Sequence, residues 1–174
     1  MKRQSLCAAV LLLWPWTGPA LRAEDDRWKD FRFLLGTWVS ETKPGTGTGT
    51  FTLEPGLGGK VLIRRNFADL PAGNGRPAEK HEDLMVIYPD AADRQVRADY
   101  YESEGHVIYY SIMPNDTGLV FTSRPASPGP RFRLTYARGE NNTVRVKFEI
   151  APPGKENPFR SYLEGTVRRK GPGE

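Results

Sequence analysis

His81 and His106 are the chain's only two histidines, so any imidazole chemistry in this 174-residue protein rests on one of them. His106 shares strand parity with Ile108, Tyr110 and Ile112, which predicts an inward-facing ring beside the Ser103-Glu104-Gly105 turn. Such a ring suits a polar group in a pocket or a metal ligand. The plainer reading is a strand-end histidine hydrogen-bonded to a neighbour. His81-Glu82-Asp83 has the composition of a metal cluster, but adjacent residues on a strand face opposite ways and cannot all converge on one ion. Glu102 and Glu104 have the residue types of an acid–base pair. Beside a turn, they read more simply as solvated charges.

Aromatic side chains form the other candidate group. Tyr88, Tyr100, Tyr110, Tyr136 and Phe148 each share parity with apolar neighbours. With His106 they are the expected lining of a cavity with an apolar wall, a few hydroxyls and one imidazole. That lining suits an uncharged or weakly acidic amphiphile. An aromatic stripe in a small barrel also reads as plain core. Arg64 and Arg133 fall on the opposite parity, so neither is expected to clamp a carboxylate. No Gly-X-Ser-X-Gly elbow, Walker loop or Gly-X-Gly-X-X-Gly motif occurs. Asn115-Asp116-Thr117 and Asn141-Asn142-Thr143 match the glycosylation acceptor and read as turns.

The elements that position these residues are mostly strands. Asp25 to Leu35 places Trp28, Phe31 and Leu35 at helical spacing behind an acidic start, which predicts a short helix. From Trp38 the apolar period shortens to two. Strand-like runs begin at Thr37 and Thr46, then span Lys60–Phe67, His81–Tyr88, Gln95–Tyr101, His106–Met113, Gly118–Ser123, Arg131–Arg138, Thr143–Ile150 and Phe159–Arg169. Asp69 to Lys80 is the longest irregular stretch, read either as a loop or as a flap over a portal. Short turns between alternating strands predict an antiparallel meander of about ten strands. Open edges in so small a domain are costly, so closure into an all-β, up-and-down barrel is expected, with the helix closing one end.

Residues 1–23 read as a secretory signal peptide: basic Lys2 and Arg3, an apolar run from Leu6 to Trp16, and small residues at Gly18, Ala20 and Ala23. Cleavage after Ala20 or Ala23 leaves residues 24–174 as one domain in a secreted or periplasmic compartment, with no membrane attachment. The single cysteine, Cys7, leaves with that segment, so no disulfide or thiolate site is expected. Losing Lys2, Arg3 and Arg22 leaves 22 basic against 21 acidic residues, a balance that gives no footprint for nucleic acid.

Phe33 to Trp38 reads Phe-Leu-Leu-Gly-Thr-Trp, and a basic pair, Arg168-Arg169, stands near the end. With the helix and strand count, these residues resemble the calycin superfamily of lipocalins, fatty-acid-binding proteins and nitrobindin-like barrels. The six-residue phrase looks closest to nitrobindin-like and related uncharacterised bacterial families. The resemblance implies that Gly36 turns the chain, that Trp38 closes one end, and that Arg168 or Arg169 packs over its ring. It does not carry over haem, because Tyr162 to Arg169 contains no histidine where those barrels hold iron. No cofactor is expected. The leading functional expectation is a barrel binding a small hydrophobic or amphipathic molecule. The alternatives are a haem protein or other enzyme using His106, and a filled barrel acting through its surface.

Overall fold

The computed structural model describes residues 26–41, 47–73, 77–124, 129–154, 158–171 and 173. The expected signal segment, residues 1–23, lies outside them. A 3-10 helix, η1 (Asp26–Leu34), precedes ten strands: β1 (Gly36–Ser40), β2 (Thr48–Gly56), β3 (Val61–Leu70), β4 (Glu79–Pro89), β5 (Val96–Glu102), β6 (Val107–Pro114), β7 (Gly118–Ser123), β8 (Arg131–Arg138), β9 (Thr143–Ala151) and β10 (Arg160–Arg169). Each strand pairs antiparallel with its neighbour in sequence, and β1 pairs β10 to close the barrel. The all-β, ten-stranded antiparallel closed barrel is therefore as expected. No helix among the described residues is long and apolar enough to cross a membrane.

η1 departs from the expected helix in its period. Trp28, Phe31 and Leu34 are buried, a spacing of three, while Leu35 is only partly buried. A 3-10 helix has three residues per turn, so its buried stripe runs along i, i+3, i+6. The helix seats on the barrel through Phe31 against Phe121, edge to face at 6.4 Å, and through the Trp28 indole N–H donating to the Gly59 carbonyl at 2.9 Å.

The closed end is held by one compact arrangement. Trp38 is 2 % exposed and its indole N–H donates to the Leu34 carbonyl at 2.7 Å. The Arg169 guanidinium lies 4.5 Å over the Trp38 ring and donates to the carbonyls of Leu35 and Phe33. Gly36 takes φ +109°, and a Cβ there would meet Arg169 Nη1 at 2.5 Å. Arg169, not Arg168, is thus the residue over the tryptophan.

Above this floor, Trp38, Phe51, Tyr136, Phe121, Tyr110 and Tyr100 contact one another in sequence, with centroids 5.7–6.3 Å apart. Leu62, Met85, Ile87, Ala98, Leu119 and Val144 fill the space around them. At the β8–β9 hairpin, Asn141 and Asn142 take φ +52° and +59°, and the Thr143 N–H donates to Glu140 O at 3.0 Å. Two left-handed central residues match the twist of the flanking strands.

Trp38→Ala is expected to destabilise the fold by about 3–5 kcal/mol, the usual loss for a large buried aromatic. Chemical denaturation measures it, and an unchanged midpoint would show that Trp38 is not part of the core.

Candidate functional site

The helix, the Gly59 turn and the β4–β5, β6–β7 and β8–β9 turns share one end of the barrel. The other end holds the starts of β4, β8 and β10, the end of β5, and the β5–β6 turn. Inward-facing residues differ sharply around this second end. On β3–β5 they are Arg64, Asn66, His81, Asp83, Tyr100 and Glu102, as the lateral pairs Asn66↔Asp83↔Glu102 and Arg64↔Met85↔Tyr100 require. On β8–β10 they are Phe132, Leu134, Val146, Phe148, Ile150, Leu163 and Gly165, with the exposed Arg160 paired to Ile150 at the rim. β4 and β9 lie opposite one another in the ring of ten.

The polar side is a connected network. Arg64 and Asp83 form a buried ion pair, with side chains 9 % and 3 % exposed. Asn66 Nδ2 donates to Asp83 Oδ2 at 2.9 Å. His81 Nε2 lies 3.3 Å from Asp83 Oδ2, 3.2 Å from Tyr100 Oη and 4.0 Å from Glu102 Oε2. Its Nδ1 lies 3.3 Å from Glu104 Oε1. The Tyr100 hydroxyl donates to Glu102 Oε2 at 3.2 Å, and Glu102 Oε1 contacts His106 Nδ1. Burial, then the negative charges of Asp83 and Glu102, push the Tyr100 phenol far up, so it stays a neutral donor. Burial likewise raises Tyr110 and Tyr136. The Tyr136 hydroxyl and Arg64 Nε are buried without hydrogen-bond partners.

Local chain geometry explains the convergence. His81 and Asp83 are two apart on β4 and face the same way, while Glu82 points outward and is exposed. Gly105, at φ +89°, allows the tight β5–β6 turn, and the Ser103 N–H donates to Glu82 O at 2.9 Å. That turn folds Glu104 back over His81.

The opposite wall is apolar and open. Phe132 and Phe148 stack at 5.9 Å with 7° between planes. Leu163 is 50 % exposed although it shares the inward face of Phe148. A Cβ built on Gly165 would meet no atom of the described residues within 4 Å. A cleft at the closed end is lined by Arg27, Asp30 and Gln95 together with core side chains such as Phe31, Ile112 and Leu119.

Of the expected lining residues, Tyr100, Tyr110, Tyr136 and Phe148 face inward. Tyr88 does not. It stands on the outer face, donating to Asp99 Oδ1 at 2.9 Å, because Met85 and Ile87 take the inward parity of β4. His106 precedes β6 and sits on the rim with its side chain 73 % exposed, on the inner side but above the interior. Arg133 faces outward and pairs with Glu149 at 2.6 and 2.9 Å. Arg64 reverses the expectation: Leu62, Arg64 and Asn66 point in, and Val61, Ile63 and Arg65 point out. Both faces of β3 carry apolar residues, so alternation alone does not tell inside from outside. His81, set aside in the sequence because Glu82 faces the other way, is the histidine the network holds; the signal for it is the i, i+2 spacing to Asp83 across from Glu102.

Arg64→Met is expected to cost about 3–5 kcal/mol, since Asp83 would stay buried and unpaired. Replacing the pair with Arg64→Met and Asp83→Leu should restore most of that loss. Denaturant titration of both variants gives the answer, and additive losses would mean the pair does not act as one unit.

No protein-family model matches this sequence, and no curated protein is similar enough to count as a relative. The closed ten-stranded antiparallel barrel with its short N-terminal helix is consistent with a calycin-like fold, and no family is assigned by sequence.

Proposed function

We propose that the protein takes a small amphipathic molecule into the open half of its barrel and performs histidine-based acid–base chemistry at the molecule's polar end. The observation that carries this reading is the division of the interior: every inward ionisable group of the network lies on β3–β6 or the turn between β5 and β6, facing an apolar wall with open space at Gly165. The histidine concerned is His81. It is partly buried and faces Asp83 and Tyr100 at Nε2 and Glu104 at Nδ1, whereas His106 stands exposed on the rim. A neutral Tyr100 hydroxyl beside it supplies a donor, and Glu102 and Asp83 supply acceptors. Phe132, Phe148 and Leu163 would take the apolar part of the ligand.

Gly165→Trp tests the cavity directly. Gly165 takes no positive φ and its side-chain direction is open, so the indole can fill the room without straining the strand. Binding of an environment-sensitive apolar dye should weaken by about tenfold or more, as a loss of 1.4 kcal/mol would give, with the thermal midpoint unchanged or raised. Equal dye binding by wild type and variant would overturn the reading.

The proposal also takes the protein to be exported, on the basic, apolar and small-residue layout of residues 1–23. N-terminal sequencing of protein from its own source should begin near Glu24. An intact Met1 on cytoplasmic protein would overturn this.

A further inference from the structure

We infer that His81, Glu102 and Glu104 form a binding site for one divalent first-row transition-metal ion at the rim of the barrel. This deepens the preceding reading and rests on it for the ligand that such an ion would meet.

The neighbours of His81 decide which of its ring nitrogens carries the proton. Asp83 is fixed by Arg64 and Asn66 and, as a carboxylate paired with a guanidinium, can only accept hydrogen bonds. Its Oδ2 faces His81 Nε2 at 3.3 Å. Tyr100 Oη faces the same nitrogen at 3.2 Å while its own proton goes to Glu102. Both neighbours of Nε2 therefore call for an N–H there. In the neutral imidazole this leaves a bare lone pair on Nδ1. That lone pair points at Glu104 Oε1, another acceptor, 3.3 Å away. Two acceptors at this separation repel unless a proton or a cation stands between them.

Charge favours a cation. Asp83, Glu102 and Glu104 oppose only Arg64 within the network, so neutral histidines leave a net charge of about −2, which one divalent ion cancels. The donor atoms suit such an ion. One imidazole nitrogen and two carboxylate oxygens lie within 4.8 Å of one another. Imidazole with carboxylate suits zinc, iron or manganese, whereas magnesium and calcium prefer oxygen alone. Bonds of about 2.0–2.2 Å would draw the donors closer than they stand now. Glu104, on an exposed turn, is free to make that movement. Asp83 completes the arrangement from behind: a ligating histidine ordinarily gives its second N–H to a carboxylate, which orients the ring. Three protein ligands leave a position for a ligand oxygen from the open half of the barrel.

The test is calorimetric titration of the full-length, chelator-stripped protein with Zn²⁺ and, separately, Mn²⁺. One equivalent of at least one ion should bind. His81→Ala and Glu102→Gln should each weaken it by about 100-fold or more, because each removes a direct ligand. Asp83→Asn should weaken it by about 10–100-fold through loss of ring orientation. His106→Ala should change it less than about threefold, a difference well under 1 kcal/mol. Thermal melts of each variant without metal show whether it is folded. If neither ion binds the wild type below about 1 mM, or if His81→Ala binds as well as wild type, the site is refuted. Apolar-dye binding by the stripped wild type separates the two ideas: retained dye binding with no metal binding rejects the metal site alone, and loss of both rejects the cavity too.

Discussion

The barrel depends on a short seam. Among the described residues β1 and β10 meet through three residue pairs, Trp38↔Arg169, Val39↔Arg168 and Ser40↔Val167, with the Glu41 N–H donating to Thr166 O and the Lys170 N–H to Thr37 O on either side, against eight or nine pairs in several other ladders. Arg169 makes that seam serve two purposes. Its guanidinium covers the Trp38 ring and also donates to two carbonyls at the end of η1, which a helix terminus leaves without partners. Closure of the sheet, capping of the helix and burial of the largest core ring are therefore one event. A side chain at Gly36 would displace the guanidinium from all three.

Ten strands enclose a wider interior than eight do, and its lining divides into two unlike halves. The lower half is a continuous run of rings from Trp38 to Tyr100. Arg64 lies at the boundary, 5.2 Å over the Phe51 ring and joined to Asp83 on the next strand. A buried charge is tolerated only when paired, and Asp83 in turn needs Asn66 for its second oxygen. The polar network around His81 is built outward from that pair. His81 owes its orientation to a residue that never reaches the rim.

The alternation of β5 to β9, the short turns and the cost of open edges were enough to read a closed ten-stranded sheet from the sequence. The place of Trp38 followed from its Gly-X-Trp setting. The 3-10 period of η1 was not legible, because Trp28 and Phe31 fit both periods and only Leu34 against Leu35 distinguishes them. The polar site was hidden for a different reason. Arg64 and Asp83 are 19 residues apart and meet only because β3 and β4 pair in one register, so neither residue marks itself as buried. Tyr88 failed as a lining residue because the apolar run from Leu84 to Tyr88 supports either parity until Ala98 and Ile87 are seen to face each other.

The exposed first half of β10 has a consequence for association between molecules. From Arg160 to Gly165 the described residues place β9 on one side of this strand and nothing on the other. A bare strand edge is a template on which a foreign strand can grow, and it is the ordinary starting point of β-aggregation. Here the register shifts between Ser161 and Leu163, and Arg160 and Glu164 put charges of both signs along the same stretch. Those features interrupt the regular spacing that an added strand would have to match. The exposed stretch of β10 is in this way made a poor seat for another polypeptide.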